Sequence, residues 1–540
     1  FLAKLMMMKN KTTYLLVVII GLLLTNVSAQ GLLPAEQAET WTDRSVYISG
    51  EEICFSGILS ISEEDELLST VVYVELMSPE NQKINQIKLP VMDQAYSGKL
   101  IIPEDVLSGY YFLRTYTKWM RNGSPNVYHY NLLKIINPFQ RELLNIKDSL
   151  IIHETISKLK PNTDSLVGKS EFSVGDPLVI HFDEKMAKLK NASVSMIPAG
   201  SQAFSLNKTK QAIAYYYQMK YEAETRGLSL SGKILVNGHI SPFHQLNVHI
   251  LGEKDFISVL CDADGHFNVA LVEDFNEKEL FLIASSSGEG KVEIQIDQDF
   301  CTKKTTLSTP KFSLENTEKE ILLKMAQRQQ IASIYESKPV PQKKNKKKKS
   351  FYGSVFKTID FDFYVPLDSM SQYFTDLPSW VSIKKKKGKR SLHLIGTQTE
   401  LNIYPSLVMV DWVPVDEADR VLAMNPKLVK EIEVINQAYV HGNQIYGGVI
   451  HIKTRKGDFG NLKFPESGQY LNYLFYSFNM SNLQTQQSYS NTIYWKTDLK
   501  DFSDIHLQTP LFSGKYLIMV QGIDRNGEHV WEAQEIQVGH

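Results

Sequence analysis

The side chains of this 540-residue chain best able to do chemistry are 13 histidines, three cysteines and a few acidic and basic clusters. A catalytic zinc site would show His-Glu-x-x-His, and a redox or metal pair Cys-x-x-Cys. A serine nucleophile elbow would show Gly-x-Ser-x-Gly, and a phosphate site a glycine-rich loop. None of these patterns occurs. The histidines stand singly, among them His181, His244, His249 and His266, and a lone histidine in a strand is usually structural or surface-placed. Asp262-x-Asp264-Gly265 opens like a calcium loop with Glu273 twelfth in order. Phe267 to Val272 then alternates like a strand, however, so a tight hairpin turn is the expected structure. Cys54, Cys261 and Cys301 are odd in number and far apart, which argues against a disulfide framework and makes Cys54, between Ile53 and Phe55, a small buried hydrophobe.

Two basic runs remain. Lys343-Lys344-Asn345-Lys346-Lys347-Lys348-Lys349 follows Pro339 and Pro341. Like charges at that density repel and stay solvated, so the run reads as a linker, with contact to anionic lipid or lipopolysaccharide as the functional alternative. Lys384 to Lys387 with Lys389 and Arg390 brackets Gly388, the pattern of an exposed hairpin tip. These residues predict no enzyme, no cofactor and no metal. A cryptic hydrolase of peptides or glycans is the alternative that a carboxylate pair within ~10 Å in a cleft would reveal.

The elements that must carry these residues follow from composition and period. Lysine plus arginine total 58 against 60 acidic residues, a net charge of −2, so the chain has no general electrostatic footprint for nucleic acid. At roughly 100 to 200 residues per domain the length predicts several domains. Lys9 and Lys11 precede an apolar run from Tyr14 to Leu24, then Val27-Ser28-Ala29. This is the pattern of a secretory signal cleaved between Ala29 and Gln30, and the run is too short for the ~20 residues of a membrane span. No later stretch is apolar enough to span. The expected location is therefore exported, either periplasmic or associated with an outer membrane.

From Trp41 to Asn137 short strands alternate with period two, as at Val72, Val74 and Leu76, between Ser-Gly turns. This predicts an antiparallel β-sandwich. A stretch from Phe172 to about Ile197 holds only about three strands, too few to close a sandwich alone. Four more follow at Thr492 to Trp495, Ile505 to Gln508, Lys515 to Ile523 and His529 to Val538, and we expect them to complete it. Thr317-x-x-Glu320 precedes Leu322, Met325, Ile331, Ile334 and Tyr335, so an amphipathic helix is expected from Thr317 to Glu336. Asp368 is the expected cap of a short helix with Met370, Tyr373 and Phe374, and Asn425-Pro426 opens another. With strands at Leu392 to Ile395, Leu407 to Val410, Ile432 to Ile435 and Val449 to Thr454, residues 351–460 make a small mixed α+β unit.

Several segments resemble known families. Thr42 to Glu51 with Cys54-Phe55-Ser56-Gly57, and Gly109 to Thr117, resemble the opening and closing strands of a macroglobulin-like domain. Leu228 to Ile234, Val248, Ile250 and Asp262 to Phe267 resemble the carboxypeptidase-regulatory-like sandwich, and carry none of the zinc residues of the peptidases. Leu407-Val408-Met409-Val410-Asp411-Trp412-Val413-Pro414-Val415, Asn425-Pro426, Ile432 to Ile435 and Tyr446-Gly447-Gly448-Val449-Ile450-His451-Ile452-Lys453-Thr454 resemble the plug of TonB-dependent outer-membrane receptors. That family commonly has Gly after the Asp, where this chain has Trp412, so either the turn is of another type or Trp412 stands at a tip.

The resemblances imply a mainly β, multidomain chain of tandem Ig-like, macroglobulin-like β-sandwiches plus a plug-like unit. The expected order is a signal peptide at 1–29, a sandwich at 38–138 and half of a second at 165–222. A regulatory-like sandwich at 226–306, a helix and linker at 307–350, the plug-like unit at 351–460 and the completing strands at 461–540 follow. The set resembles a group of exported Bacteroidetes envelope proteins. A receptor barrel needs ~22 strands of ~10 residues, more than the residues after Gly457 supply. No Cys-Gly-x-x-Gln thioester, which protease-trapping macroglobulins need, is present. The implied role is a binding or scaffold protein that docks on an outer-membrane protein or complex, a β-barrel translocon included. A plug or gate subunit of a secretion or uptake translocon is the alternative. Trp412, Tyr439 and Tyr446, at strand or loop ends, are the expected contact residues, or else fill the unit's own core.

Overall fold

The structure, a computed structural model, describes residues 35–539 apart from 62–66, 153–159, 203–219, 252, 285–290, 336–351, 353, 377–379, 387, 397, 416, 442–443, 464–467, 478–484, 487–488 and 500. The signal segment with its cleavage point at Ala29 and Gln30, and the Lys343–Lys349 run, lie outside the described residues.

Ile53, Phe55 and Leu59 alternate along Glu52–Ser60 and are fully buried. This strand pairs antiparallel with Gln37–Thr42 and Ala95–Ile101. A facing sheet runs in the order Val46–Ile48, His129–Ile136, Gly109–Tyr116, Val71–Met77, Lys83–Pro90, and the two bury Tyr47, Val74, Leu113 and Leu133 between them. One pairing departs from the antiparallel expectation: Val46–Ile48 runs parallel to His129–Ile136. The chain reaches Val46 from the opposite sheet, by way of the buried Asp43-Arg44 corner, and not from a hairpin.

Glu171–Ser173, Pro177–Ile180 and Lys190–Pro198 find their partners near the far end of the sequence. Lys190–Pro198 lies between Gly514–Ile523 and Tyr494–Lys496, Pro177–Ile180 pairs with Ile505–Gln508, and Glu171–Ser173 runs parallel to His529–Gly539. Met196, Tyr494, Tyr516 and Ile518 form their common core. Between these halves stands another sandwich. Ser229–Val236, with His266–Ala270 and Val292–Ile296, faces a sheet ordered Phe256–Leu260, Gln245–Ile250, Glu277–Ala284, Gly468–Leu474. The last of those strands returns from beyond the α+β unit, so the insertions are nested. The α+β unit interrupts one sandwich, and that sandwich interrupts another.

Within the α+β unit the sheet order is Lys357–Asp360, Val429–Ile435, Val449–Thr454, Leu407–Val410, Val413–Pro414, with Leu407–Val410 parallel to Val449–Thr454. Leu392 to Ile395 was expected in this sheet. Instead Lys389–Leu394 pairs only with Val381–Lys386, in a separate ribbon, because its buried Leu392 and Leu394 pack onto the sheet's core. The short helix Met370–Thr375 is capped by Ser369 with Gln372 in a capping box, not by Asp368; a serine hydroxyl reaches the N3 amide directly. Asn425 caps Pro426–Leu428.

The long helix spans Asn316–Tyr335 and buries Leu322, Met325, Ala326, Arg328 and Ala332. Ile334 and Tyr335, expected in its buried stripe, are 75% and 71% exposed. At 100° per residue Ile334 rotates off the face set by Leu322 and Met325, whereas Tyr335 keeps nearly the direction of Arg328 but is the helix's last residue. Arg328 takes the buried position instead, its guanidinium 5.0 Å from the Tyr516 ring centroid.

The sandwiches are joined by buried charge. Arg44, 1% exposed, donates to Asp43 at 2.7 Å and Glu51 at 2.8 Å, and bonds Thr492. Asn491 donates to Glu51 at 2.6 Å. Lys88 meets Asp299 at 2.5 Å and lies 3.9 Å over the Tyr473 ring. Charges taken out of water need such partners on every side, which fixes the units relative to one another.

Candidate docking site around the Asp411–Trp412 turn

The paired strands Leu407–Val410 and Val449–Thr454 present two faces. Val408, Val410, Ile450 and Ile452 point into the unit's own core, which Phe281 and Ile283 of the neighbouring sandwich complete. Leu407, Met409 and Val449 point the other way, toward Phe256 of that sandwich. His451 shares this second face by alternation and is fully buried. A buried imidazole must find partners, and it has two. Its Nδ1 lies 2.8 Å from the Tyr352 hydroxyl, and its Nε2 accepts from the Trp412 amide at 3.2 Å. The tautomer follows from the pattern. Nε2 carries no proton, Nδ1–H donates to Tyr352, and the Tyr352 hydroxyl donates to Glu433.

The electrostatics agree with that assignment. Burial lowers the His451 pKa below its ordinary value despite nearby Glu433, so the ring is neutral. Burial alone would raise the Glu433 carboxyl, yet the nearby His451 ring and hydrogen bonds from Lys453 and Tyr352 hold it at about 2. Lys453 donates to Glu431 at 2.8 Å and Glu433 at 2.6 Å. Burial would lower its ammonium, but these two carboxylates outweigh that and raise it.

This network positions the turn. Asp411 and Trp412 have φ of +44° and +74°, closing a two-residue hairpin between the paired Val410 and Val413. Such turns favour Asn-Gly, because both central residues need positive φ. A tryptophan there costs about 1–2 kcal/mol. Specific contacts offset that cost. The Asp411 carboxylate accepts from the Thr454 amide at 2.8 Å, the Thr454 hydroxyl at 2.5 Å and the Phe459 amide at 2.9 Å. The Trp412 ring stacks on Tyr352 at 5.6 Å and 14° and sits 4.1 Å from the His451 ring. Lys254 of the sandwich and Lys453 lie 5.6 and 5.9 Å from the indole. The tight turn therefore forms without its glycine, and Trp412 is half-buried against the seam and does not stand at a free tip.

Tyr439 and Tyr446 are cross-strand partners in the ribbon Tyr439–His441/Gln444–Tyr446. Both belong with Trp412 to the cluster around Phe256, Tyr352 and Met409, so the structure brings the three expected residues together on the inner side of one seam. Tyr446 accepts from Gln245 at 3.0 Å, and the His441 ring stands 4.3 Å from Phe256. The ribbon's opposite face carries Val440, 65% exposed, paired with Ile445, 37% exposed. After it, positions 447 and 448 must be glycine. A Cβ on Gly447 would stand 2.3 Å from the Tyr404 carbonyl oxygen, and Gly448 has φ of +84°.

Sequence reasoning did not single out Tyr352, Glu433, His451, Lys254 or Phe256. His451 left one usable signal, a polar residue at a buried position of Val449-Ile450-His451-Ile452. The site presents a rigid aromatic turn and a small apolar ribbon. The His451 imidazole and the Glu433 carboxylate are engaged by Tyr352, Trp412 and Lys453. Elsewhere, the Asp262 carboxylate accepts from the amides of Asp264 and His266 at 2.9 and 2.8 Å, closing a hairpin turn. No group of three metal-ligating side chains occurs among the described residues. A cleft of about 200 Å³ in the first sandwich is lined by Glu52, Asn85 and Lys99, and Lys99 pairs with Glu52 at 2.9 Å.

No protein-family model matches the chain, and no curated protein does. Among solved structures, an Escherichia coli alpha-2-macroglobulin activated by porcine elastase aligns at 9% identity and TM-score 0.22, covering 94% of this chain and 44% of that one. A Salmonella alpha-2-macroglobulin mutant aligns at 9% identity and TM-score 0.23, covering 94% and 40%. Dimeric latent PorU from Porphyromonas gingivalis aligns at 10% identity and TM-score 0.14, covering 94% and 34%. The chain spans less than half the length of each of these three, and likeness at this level carries no argument about function. Among the described residues no helix is long and apolar enough to cross a membrane.

Proposed function

We propose that this chain is an exported, non-enzymatic binding or scaffold protein of the cell envelope, docking on outer-membrane machinery through its sandwiches and its plug-like α+β unit. The observation that carries the reading is the mounting of that unit. Phe281 and Ile283 of a sandwich in the same chain pack on one face of its sheet, and Phe256 packs on the other. Its Val440–Ile445 ribbon face is left open to solvent. The unit resembles a receptor plug, yet here a sandwich supports it from behind and holds an apolar ribbon outward. Rigid elements with exposed apolar anchors are what a protein interface uses. The test is a photo-crosslinking amino acid at Val440, with a second at the solvent-facing Glu293 as control, in native envelopes. An outer-membrane β-barrel protein crosslinked from Val440 and not from Glu293 is the expected result. Recovery of no barrel protein from Val440 would sink the proposal.

A further inference from the structure

A second surface of the α+β unit is built for a different kind of partner. The ribbon Val381–Lys386/Lys389–Leu394 pairs Lys384 with Ser391 and Lys385 with Arg390, and turns at Gly388 with φ of +85°. Its two faces differ. Val381, Leu392 and Leu394 are buried in the unit's core, so the opposite face, which carries Ser382, Lys384, Lys389, Ser391 and His393 by register, is turned outward. Ile395 extends that outward face, since its amide donates to the Trp380 carbonyl at 2.8 Å and continues the ladder. It is 49% exposed. Trp380, which carries that bond and packs partly against the unit's core, meets Phe356, 52% exposed, edge-on at 4.9 Å.

The tip is cationic, with the Asp419 carboxylate against Arg390 and near Lys385. Lys384, Lys385, Lys389 and Arg390 are all exposed. Arg390 is paired with Asp419. Among the described residues no carboxylate lies within ion-pair distance of Lys384, Lys385 or Lys389. A chain of net charge −2 thus concentrates positive charge on one projecting ribbon, and like charges held together by a rigid hairpin are costly unless an anion meets them. An apolar base and a cationic tip on one face match a bilayer boundary, where apolar side chains enter the headgroup region and lysines meet lipid phosphates. Nucleic acid is the poorer match, because it needs a basic groove that follows a backbone over many phosphates.

We propose that the outward face of this ribbon is a membrane-contact surface that takes anionic lipid headgroups. The inference needs no protein partner, so it stands or falls apart from the docking reading above. The test is flotation of the intact chain with vesicles of phosphatidylcholine alone and of phosphatidylcholine mixed with phosphatidylglycerol. Binding is expected only to the anionic vesicles and is expected to weaken with salt. Replacing Lys384 and Lys389 by Ser removes two cations of the outward face, and the partition coefficient should fall by about 30-fold with the melting temperature unchanged. Ile395→Ser should weaken binding with no change of charge. A control replaces the lysines of 343–349 by Ser, and it should leave the ribbon's contribution intact. Equal binding to neutral vesicles, a double variant that binds like the parent, loss of all binding in the control alone, or tighter binding to duplex DNA at the same ionic strength would each overturn the assignment.

Discussion

At most positions glycine is a poorer residue than alanine, because it loses more backbone freedom on folding. At position 412 the structure reverses that order. Trp412→Gly and Trp412→Ala both delete the indole, and with it the stack on Tyr352 and the contact with His451, so the side-chain loss is common to both and cancels between them. What differs is the backbone at φ of +74°. Alanine keeps the left-handed penalty of about 1–2 kcal/mol, and glycine has none. Glycine's extra unfolded-state freedom returns about 0.5–1 kcal/mol to alanine's side. The net expectation is that the Gly variant is more stable than the Ala variant by up to about 1.5 kcal/mol, with both below the parent by about 1–3 kcal/mol from lost aromatic burial. Urea unfolding followed by circular dichroism measures the pair directly. Should Ala exceed Gly, the turn is not left-handed at 412, and the reasoning that makes Trp412 a strained, network-held residue fails.

Two further outcomes follow from buried groups. Arg44→Met leaves Asp43 and Glu51 buried without their cation and should cost about 3–5 kcal/mol. Because Thr492 and Asn491 share that network, calorimetry should show the first sandwich melting apart from the strands near Tyr494. A single transition at the parent temperature would contradict this. His249 is 2% exposed and burial holds its imidazole at about 4, below the ordinary 6.5. The unfolded chain therefore binds the proton first as pH falls. Its contribution is fully present above pH ~6.5 and is lost progressively toward pH ~4, about 3 kcal/mol in all. His249→Asn should flatten that part of the stability–pH curve measured by urea unfolding, and an unchanged slope would refute the link.

The local chemistry of the chain was legible in its residues. Alternation at Val72, Val74 and Leu76 announced a strand that the structure places at Val71–Met77, and Asn425-Pro426 announced the capped turn seen there. The lysines bracketing Gly388 sit on a two-stranded ribbon. Errors arose where one local signal competed with another nearby. Ser369 displaced Asp368 as the cap because its hydroxyl and Gln372 satisfy two amides reciprocally. Arg328 displaced Ile334 in the helix's buried face because aromatic rings of a distant strand received it.

Period, turn chemistry and the absence of catalytic motifs are properties of neighbouring residues, so the sequence alone determined a mainly β chain with an α+β unit and its cationic ribbon. Which strand closes which sheet was decided only in three dimensions. Glu277–Ala284 accepts Gly468–Leu474 as its edge partner because an unpaired backbone and an open apolar face are satisfied by whichever matching strand arrives, however far along the chain it lies. The same holds for the seam. Tyr352, Trp412, Glu433 and His451 are scattered in sequence; the parallel pairing of Leu407–Val410 with Val449–Thr454 brings Trp412 to His451, and the antiparallel pairing of Val429–Ile435 with the same strand brings Glu433. There a buried imidazole takes its tautomer from partners that no spacing rule could supply.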